Sequence, residues 1–145
     1  MPEVYPYYRL IYTSHAVAPV DLDALLKQAW VNNPSTGITG GLVFLDNVYF
    51  QYLEGNYESV ETVFKKILVD SRHRDVKVLE RRSIQKRMFK TWAMALLRWT
   101  DNTKNIYVSF SPGQALNLYE TDPTTAAALF RAWAKASDRS DWITN

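Results

Sequence analysis

Gln51 stands in the middle of an apolar and aromatic stretch, residues 48–53. Residues of these types favour a covered pleated surface, so the stretch predicts a buried strand with Gln51 drawn into the buried layer. A buried amide needs hydrogen-bond partners, because leaving one of its donors or acceptors unpaired costs roughly 1–3 kcal/mol. A backbone group or a tyrosine hydroxyl is the commoner partner, and a bound ligand is the alternative.

Three more polar side chains stand where predicted elements end. Tyr12 lies near the carboxyl end of a predicted strand at 7–14. Asn32 and Asn33 follow an apolar stripe of helical spacing, and Pro34 is predicted to stop that helix because proline forces the preceding residue out of helical geometry. Helix capping explains one asparagine, whereas a pair leaves open that one side chain serves a ligand.

The composition excludes several kinds of chemistry. The chain has 145 residues, enough for one domain whose core needs no metal or disulfide. It has no cysteine, which excludes disulfides, thiol catalysis and cysteine adducts, and its two histidines lack the carboxylate cluster of a metal site. Demanding chemistry must therefore come from a cofactor, and the 14% of aromatic residues could line a pocket for a flat ring or simply fill a core.

The charge and the amino terminus bear on partners and location. The net charge is +2, from 17 basic and 15 acidic residues, which gives no broad basic field for nucleic acid. Residues 1–5 lack the basic and apolar regions of a signal peptide, and no apolar run approaches the ~20 residues of a membrane span. We expect a cytoplasmic protein without nucleic-acid or membrane partners.

The periodic segments predict alternating strands and helices. Asp21 and Asn56 are predicted N-caps of two helices, the second with the clearest apolar face in the chain. A closing helix is predicted from Pro123 to Ser137. The predicted strands are residues 7–14, 42–45, 48–55, 76–80 and 92–99. A solvated loop is favoured over a nucleic-acid grip for the basic residues after the fourth strand, which are Arg81, Arg82, Lys86, Arg87 and Lys90.

The order strand, helix, strand, strand, helix, strand, strand is typical of a ferredoxin-like α+β fold with one added strand, βαββαββ. It predicts a five-stranded mixed sheet with two helices on one face, formed by residues 1–100, and a helical extension, residues 101–145, packed on this core. Right-handed crossovers would make the first and third strands parallel neighbours at the centre and would allow the last strand to lie beside the first.

This topology would bring the polar residues together. Tyr12, Gln51 and the pair Trp92 and Met94 would come from three adjacent strands, on the sheet face that both helices cover. A flat ligand between the helices would have Tyr12 and Gln51 at its edge and the end of the first helix, at Asn32–Asn33, close by.

Five sequence blocks carry a family resemblance across roughly residues 7–100, namely Tyr8–Ser14, Asn32–Pro34 with Gly37–Gly40, Phe50–Gly55, Asp70–His73 and Trp92–Met94. In their order and spacing they resemble the BLUF family, the blue-light sensors that use FAD. A tyrosine, an asparagine, a glutamine and a Trp-x-Met unit in register seldom coincide in a plain ferredoxin-like fold.

The resemblance implies a non-covalently bound FAD with its isoalloxazine ring between the two helices. Tyr12 would match the family's photoactive tyrosine, which passes an electron, and a proton through Gln51, to the excited flavin. Gln51 would match the switching glutamine, which ends with rearranged hydrogen bonds by rotation or tautomer change. Asn33 would match the asparagine that holds the pyrimidine edge of the flavin, with Asn32 as a weaker candidate.

Further flavin contacts follow from position in the family pattern. Leu25 and Ile67 would pack on the ring, and Lys66, Arg72 or His73 would approach the ribityl phosphate on the solvent side. Plain capping of the preceding helix is the alternative role for Arg72 and His73.

The resemblance also implies a sensor and not an enzyme. By their position on the last predicted strand, Trp92 and Met94 would relay the signal from the flavin into residues 101–145, and from there to a partner protein or within a homo-oligomer. The alternative is that the closing helix merely covers the far face of the sheet. No catalytic or DNA-binding domain is expected after the core. Many family members have serine at the position of Ala93, so this chain has no side-chain hydroxyl for a relay at this position.

Two other function classes remain open at this point. A flavin-dependent oxidoreductase would also bind the ring between helices, but it needs acid–base residues beside a substrate, and only Tyr12 stands in the predicted site. A ferredoxin-like interaction module without a cofactor would use the aromatic residues as core and Gln51 as a satisfied polar residue.

Overall fold

The computed structural model describes residues 5–136 and 141–144. In chain order the elements are β1 (Tyr7–Ala16), α1 (Leu22–Thr36), β2 (Thr39–Leu45), β3 (Val48–Gly55), α2 (Tyr57–Leu68), β4 (His73–Ile84), β5 (Ala95–Leu97), α3 (Asp101–Phe110), α4 (Ala126–Ala136) and β6 (Trp142–Ile143). The strands form one mixed sheet in the order β4-β1-β3-β2-β5-β6. The α+β fold with a mixed sheet is confirmed, with six strands instead of the five predicted.

The relative direction of the first and third strands, and the position of the last predicted strand, differ from the prediction. β1 and β3 are neighbours, but they run antiparallel, so the prediction of a parallel pair is wrong. Asp46 and Asn47, both with positive φ, form the hairpin turn that reverses the chain after β2. β3 is thereby placed between β1 and β2 and runs antiparallel to both. The prediction that the last strand lies beside the first is also wrong, because β5 pairs in parallel with β2 and β4 takes the place beside β1. The strands that lead to Tyr12, Gln51 and Met94 are therefore not three adjacent strands, since β2 lies between β3 and β5.

Helix α1 begins as predicted and ends later than predicted. Asp21 accepts a hydrogen bond from the Ala24 amide at 3.0 Å. The helix does not stop at Pro34 but continues to Thr36, where Gly37 takes a left-handed conformation (φ 71°) and donates its amide to the Asn33 carbonyl. A proline in the last turn removes only one intrahelical hydrogen bond, and the left-handed glycine supplies the actual helix end.

Helix α2 and strand β4 complete this half of the fold. Asn56 caps α2 as predicted, accepting from two backbone amides of the first turn. β4 is longer at both ends than the predicted strand 76–80, so His73 is its first residue, and Arg81 and Arg82 lie on the strand and not in the connection beyond it.

The carboxyl-terminal part contains more regular structure than predicted. β5 is only three residues long, although residues 92–99 were predicted to be a strand. Helix α3 follows, with a capping box between Thr100 and Thr103. The predicted start of α4 is three residues early, and its predicted end at Ser137 lies outside the described residues. No helix in the described parts of the chain is both long and apolar enough to cross a membrane.

The two sheet faces carry separate cores. On the α1–α2 face, side chains of both helices pack on alternate residues of β1, β2 and β3. On the α3–α4 face, the other set of alternate residues packs against Tyr107 of α3 and against Phe130 and Trp133 of α4. Alternation along each strand therefore decides which face a residue serves.

Candidate functional site

A cavity of about 170 Å³ opens between α1 and α2 on the α1–α2 face of the sheet. All nine side chains that the sequence assigned to a cofactor line it, and so does Met94. The complete lining is Tyr12, Leu25, Leu26, Gln28, Ala29, Asn32, Asn33, Thr36, Leu42, Tyr49, Gln51, Leu53, Val63, Lys66, Ile67, Asp70, Arg72, His73 and Met94.

Tyr12 and Gln51 form a hydrogen-bonded pair at the floor of this cavity. They are directly opposite each other in the antiparallel pairing of β1 and β3, so their side chains emerge on the same face. The Tyr12 hydroxyl donates to Gln51 Oε1, and Gln51 Nε2 donates to the thioether of Met94 at 3.3 Å. Complete burial, with Tyr49 nearby, raises the pKa of Tyr12 far above its usual value, so its phenol keeps the proton.

Gln51 is only half-buried, because its amide borders the cavity. The tyrosine hydroxyl that the sequence offered as a partner is present. The other end of the amide is satisfied weakly, since a thioether sulfur is a poor acceptor. A stronger acceptor inside the cavity would therefore make a better hydrogen bond with Gln51 Nε2 than the Met94 sulfur does.

Two side chains of α1 hold the backbone that precedes β5. Asn33 Nδ2 donates to the Ala93 carbonyl at 2.7 Å, and Trp30 Nε1 donates to the Met94 carbonyl at 2.8 Å. Asn33 is buried, whereas Asn32 is exposed at the rim. Within the described ranges, the Asn33 side-chain oxygen makes no hydrogen bond, so it remains able to accept one from a ligand.

The side walls are apolar, and the mouth is charged. Leu25 of α1 and Ile67 of α2 line opposite walls, a spacing imposed by the two helices that bracket the cavity. Lys66 directly precedes Ile67 in the sequence and is exposed near the end of α2. Arg72 is fixed beside the mouth by Asp70 at 2.6 Å, and this hydrogen bond lowers the pKa of the Asp70 carboxyl.

His73 belongs to the wall and not to a helix cap. Its Nδ1 lies 2.8 Å from the Ser14 hydroxyl, and its ring lies against Tyr49 with centroids 4.7 Å apart. Burial lowers the pKa of His73, so the imidazole is neutral at neutral pH and brings no positive charge to a ligand phosphate. Arg72 and Lys66 are the cations at this mouth.

Trp92 does not belong to this site. Its ring contacts Phe89 and Trp142, at centroid distances of 6.0 and 5.5 Å, and it packs on the α3–α4 core. The prediction that Trp92 and Met94 share the cavity face is wrong, because both residues precede β5 and strand alternation does not apply to them. Of this pair, Met94 alone lines the cavity.

Sequence reasoning missed nine of the 19 lining residues, among them Tyr49, Leu42 and Asp70. Tyr49 could have been found, because it lies two residues before Gln51 on the same strand and must share its face. Asp70 gave no separate signal, since its place depends on the ion pair with Arg72.

The residues present fit a flat heteroaromatic ligand with a phosphate tail. Apolar side chains face each other across the cavity, and amide groups at one edge have unused or weakly used hydrogen-bonding capacity. Cations stand at the mouth, where a phosphate would reach solvent.

Comparison with known proteins agrees with this chemistry. A family model described as "BLUF: Sensors of blue-light using FAD" matches residues 7–95. The photoactivated adenylate cyclase subunit beta of Euglena longa is 31% identical over 109 residues, which are 72% of this chain and 12% of that protein. The chain thus spans about an eighth of the length of this relative.

Solved structures extend the similarity beyond the family match. The photo-activated state of BlsA is 28% identical with a TM-score of 0.81, covering 91% of this chain and 97% of that one. A bacterial light-regulated adenylyl cyclase is 38% identical with a TM-score of 0.59, covering 62% of this chain and 27% of that one. The dark-state structure of BlrB, described as a BLUF protein, is 23% identical with a TM-score of 0.75, and it shares the fold over 90% of this chain and 97% of its own.

Proposed function

The chain belongs to the BLUF family of blue-light sensors, and from this membership we propose that it is a photoreceptor that holds FAD non-covalently between α1 and α2. The observation that carries the proposal is the Tyr12–Gln51 hydrogen bond at the floor of a cavity with apolar walls. An electron donor and a reorientable amide are thereby joined where a flat ring fits.

We infer that residues 1–100 form the flavin-binding unit. Leu25 and Ile67 would pack on the two sides of the ring, and the free oxygen of Asn33 would accept a hydrogen bond from its polar edge. Lys66 and Arg72 attract the phosphates outside the cavity, which favours FAD or FMN over an unphosphorylated flavin. The family name favours FAD of the two.

Blue light makes the bound flavin a strong oxidant, and the protein supplies the donor. The raised pKa of Tyr12 keeps its phenol protonated, so loss of an electron must be accompanied by loss of the proton from its hydroxyl oxygen. Gln51 Oε1 already accepts this hydrogen bond, so Gln51 would take up this proton at Oε1 and release one from Nε2 toward the ring, which would also take the electron. The electron and the proton would both return to Tyr12 on recombination.

Gln51 then stores the signal in its hydrogen bonds. The two ends of the amide are nearly isosteric, but one donates and the other accepts. Exchange of the two ends, by rotation or by tautomer change, reverses the bond to Tyr12 and changes the bond to Met94. The covalent structure is restored while the hydrogen-bond pattern differs, and the dark pattern returns thermally.

The light signal is passed on through a surface of this protein that another chain recognises. We propose that the carboxyl-terminal extension, residues 101–145, whose described part contains α3, α4 and β6, carries the signal from Met94 to a partner protein or to a second copy of this chain. The cyclase relatives link light sensing to a second activity elsewhere in longer proteins. A sensing role, and no catalysis by the residues of this site, is what the family membership supports.

One absorption experiment tests the proposal. The purified protein, loaded with FAD, is measured in the dark and after blue light, and we expect a yellow protein whose flavin band shifts reversibly to longer wavelength. Bleaching by a reduced nicotinamide cofactor, without the shift, would favour an oxidoreductase. A protein that stays colourless at saturating FAD would favour the cofactor-free interaction module.

A further inference from the structure

A second cleft, of about 720 Å³, lies outside the flavin cavity, between the end of β4, the connection that follows it, and α4. Seven of the 17 lysine and arginine side chains of the protein line this cleft. They come from distant parts of the chain, namely Arg9, Arg82, Lys86, Arg87, Lys90, Arg131 and Lys135. No carboxylate lines the cleft within residues 5–136 and 141–144.

Two of these cations have structural tasks. Arg9 is buried and bonds Glu80 at 2.5 Å, while Arg87 donates to the Thr39 hydroxyl at 2.9 Å and stacks on the ring of Tyr7. The other five are exposed and form no ion pair with any residue in the described ranges. Five cations that have no ion-pair partner in the described ranges surround one concave surface and repel each other, and an anionic ligand would relieve this repulsion.

The two walls are built by different parts of the protein. Arg131 and Lys135 are one turn apart on α4, so they point to the same side, with Ala134 between them leaving space. Lys86 and Lys90 belong to the connection after β4 and form the facing wall. A net charge of only +2 for the whole chain means that this concentration of charge is local.

We propose that this cleft binds a compact oligophosphate, such as a nucleoside triphosphate or inorganic triphosphate. The cations line one concave volume of the size usual for small-molecule sites, instead of forming a long stripe that would suit nucleic acid or an extended acidic peptide. Guanidinium forks bind phosphate oxygens in pairs, and lysines add point charges that match a triphosphate. The site is independent of the flavin cavity, because no residue lines both.

Calorimetric titration of the FAD-loaded protein in the dark tests this site. Inorganic triphosphate and ATP are titrated separately, at low salt and without divalent metal. We expect one binding event that weakens with added salt, and at least about tenfold weaker binding in the Arg131→Gln/Lys135→Gln variant. Tighter binding of ATP would show that the base contributes, and equal binding that the phosphate chain is sufficient.

The matched control is Lys27→Gln/Lys104→Gln, which removes the same charge from exposed positions outside the cleft and should leave the affinity unchanged. Lys86→Gln/Lys90→Gln tests the facing wall independently and should weaken binding like the α4 variant. Equal weakening by the control would overturn the proposal, as would binding of a polyglutamate peptide but of neither phosphate compound. The light-induced flavin shift, measured on each variant, reports that the fold is intact.

Discussion

The two faces of the sheet are packed differently, although the same strands supply both. On the α1–α2 face, Tyr12 and Gln51 border a cavity and leave polar capacity unused. On the α3–α4 face, the ring centroids of Phe50 and Phe130 are 4.6 Å apart, and those of Phe130 and Trp133 are 5.6 Å apart. All three side chains are fully buried. The α1–α2 face has a cavity that a ligand can fill, whereas the α3–α4 face is closely packed with large side chains.

The contrast is sharpest between adjacent residues of β3. Gln51 faces the cavity, while Tyr52 points to the opposite face and is buried beside Arg9 and Glu54. A change in the hydrogen bonds of Gln51 therefore acts on a strand whose other side is held in a rigid core. Replacing residues on one face should change light sensing, and replacing residues on the other should change folding stability.

The largest effect is expected for Tyr12→Phe, which should abolish the light-induced red shift while FAD stays bound. The ring volume is kept, but the hydroxyl that donates to Gln51 is lost. Gln51→Leu should give the same loss, because the switching amide is absent. Absorption spectra before and after blue light measure both changes.

Tyr107→Phe is the matched control for this prediction. Tyr107 is a buried tyrosine of the α3–α4 face, and its hydroxyl donates to the Asn117 carbonyl at 2.8 Å. This variant should keep the full red shift. A normal, long-lived shift in Tyr12→Phe would remove Tyr12 from the mechanism.

Trp133→Ala should cost about 3–5 kcal/mol of unfolding free energy, because it empties a fully buried position in the α3–α4 core. Leu25→Ala should cost about 1 kcal/mol or less, because this half-buried side chain borders space that is already open. Urea unfolding of the flavin-free protein compares the two. Equal losses would mean that the faces do not differ in packing as described.

The α1–α2 face is also the one that the sequence predicted better. Alternation on β1 and β3 places Tyr12 and Gln51 on one face whether the strands are parallel or antiparallel, so an error in strand direction did not disturb the site. The amphipathic pattern of α2 and its cap at Asn56 fixed the second wall. Local signals were sufficient there because each residue acts through its own strand or helix.

The opposite face depends on contacts that no local pattern encodes. The two residues of β6 are too few for a periodic signal, and β6 pairs with β5 across a long separation in sequence. Trp92 left the predicted face because its segment is not held in a strand ladder. The basic cleft escaped notice for the same reason, since Arg131 and Lys135 join the earlier basic run only in three dimensions.

Asn33→Ala should lower FAD retention and destabilise the protein by roughly 1–3 kcal/mol, since it leaves the buried Ala93 carbonyl without its donor. Asn32→Ala, at an exposed position, is the control and should change stability little. Bound FAD after gel filtration and the urea midpoint measure the two effects. If Asn32→Ala loses FAD and Asn33→Ala does not, the role at the flavin edge belongs to Asn32.

The smallest effect concerns communication between the faces, and β5 is the element that touches both. Met94 and Leu96 pack toward the α1–α2 core, while Ala95 and Leu97 are buried in the α3–α4 core. A new hydrogen-bond pattern at Gln51 changes the contact with the Met94 sulfur, and Met94 is followed directly by Ala95, which is buried in the α3–α4 core. Light can change the docking of α3 and α4 only if their docking free energy differs between the two flavin states.

We expect amide hydrogen exchange in residues 100–136 to become about fivefold faster on illumination, which corresponds to a coupling of about 1 kcal/mol, at the low end of usual values. Met94→Ala should reduce this change and leave most of the flavin red shift intact, because it removes the contact and not the Tyr12–Gln51 pair. Leu68→Ala, at an exposed position of α2 outside the cavity lining, is the control and should preserve both responses. Identical exchange in dark and light across this segment of the unmutated protein would exclude α3 and α4 as the route of output.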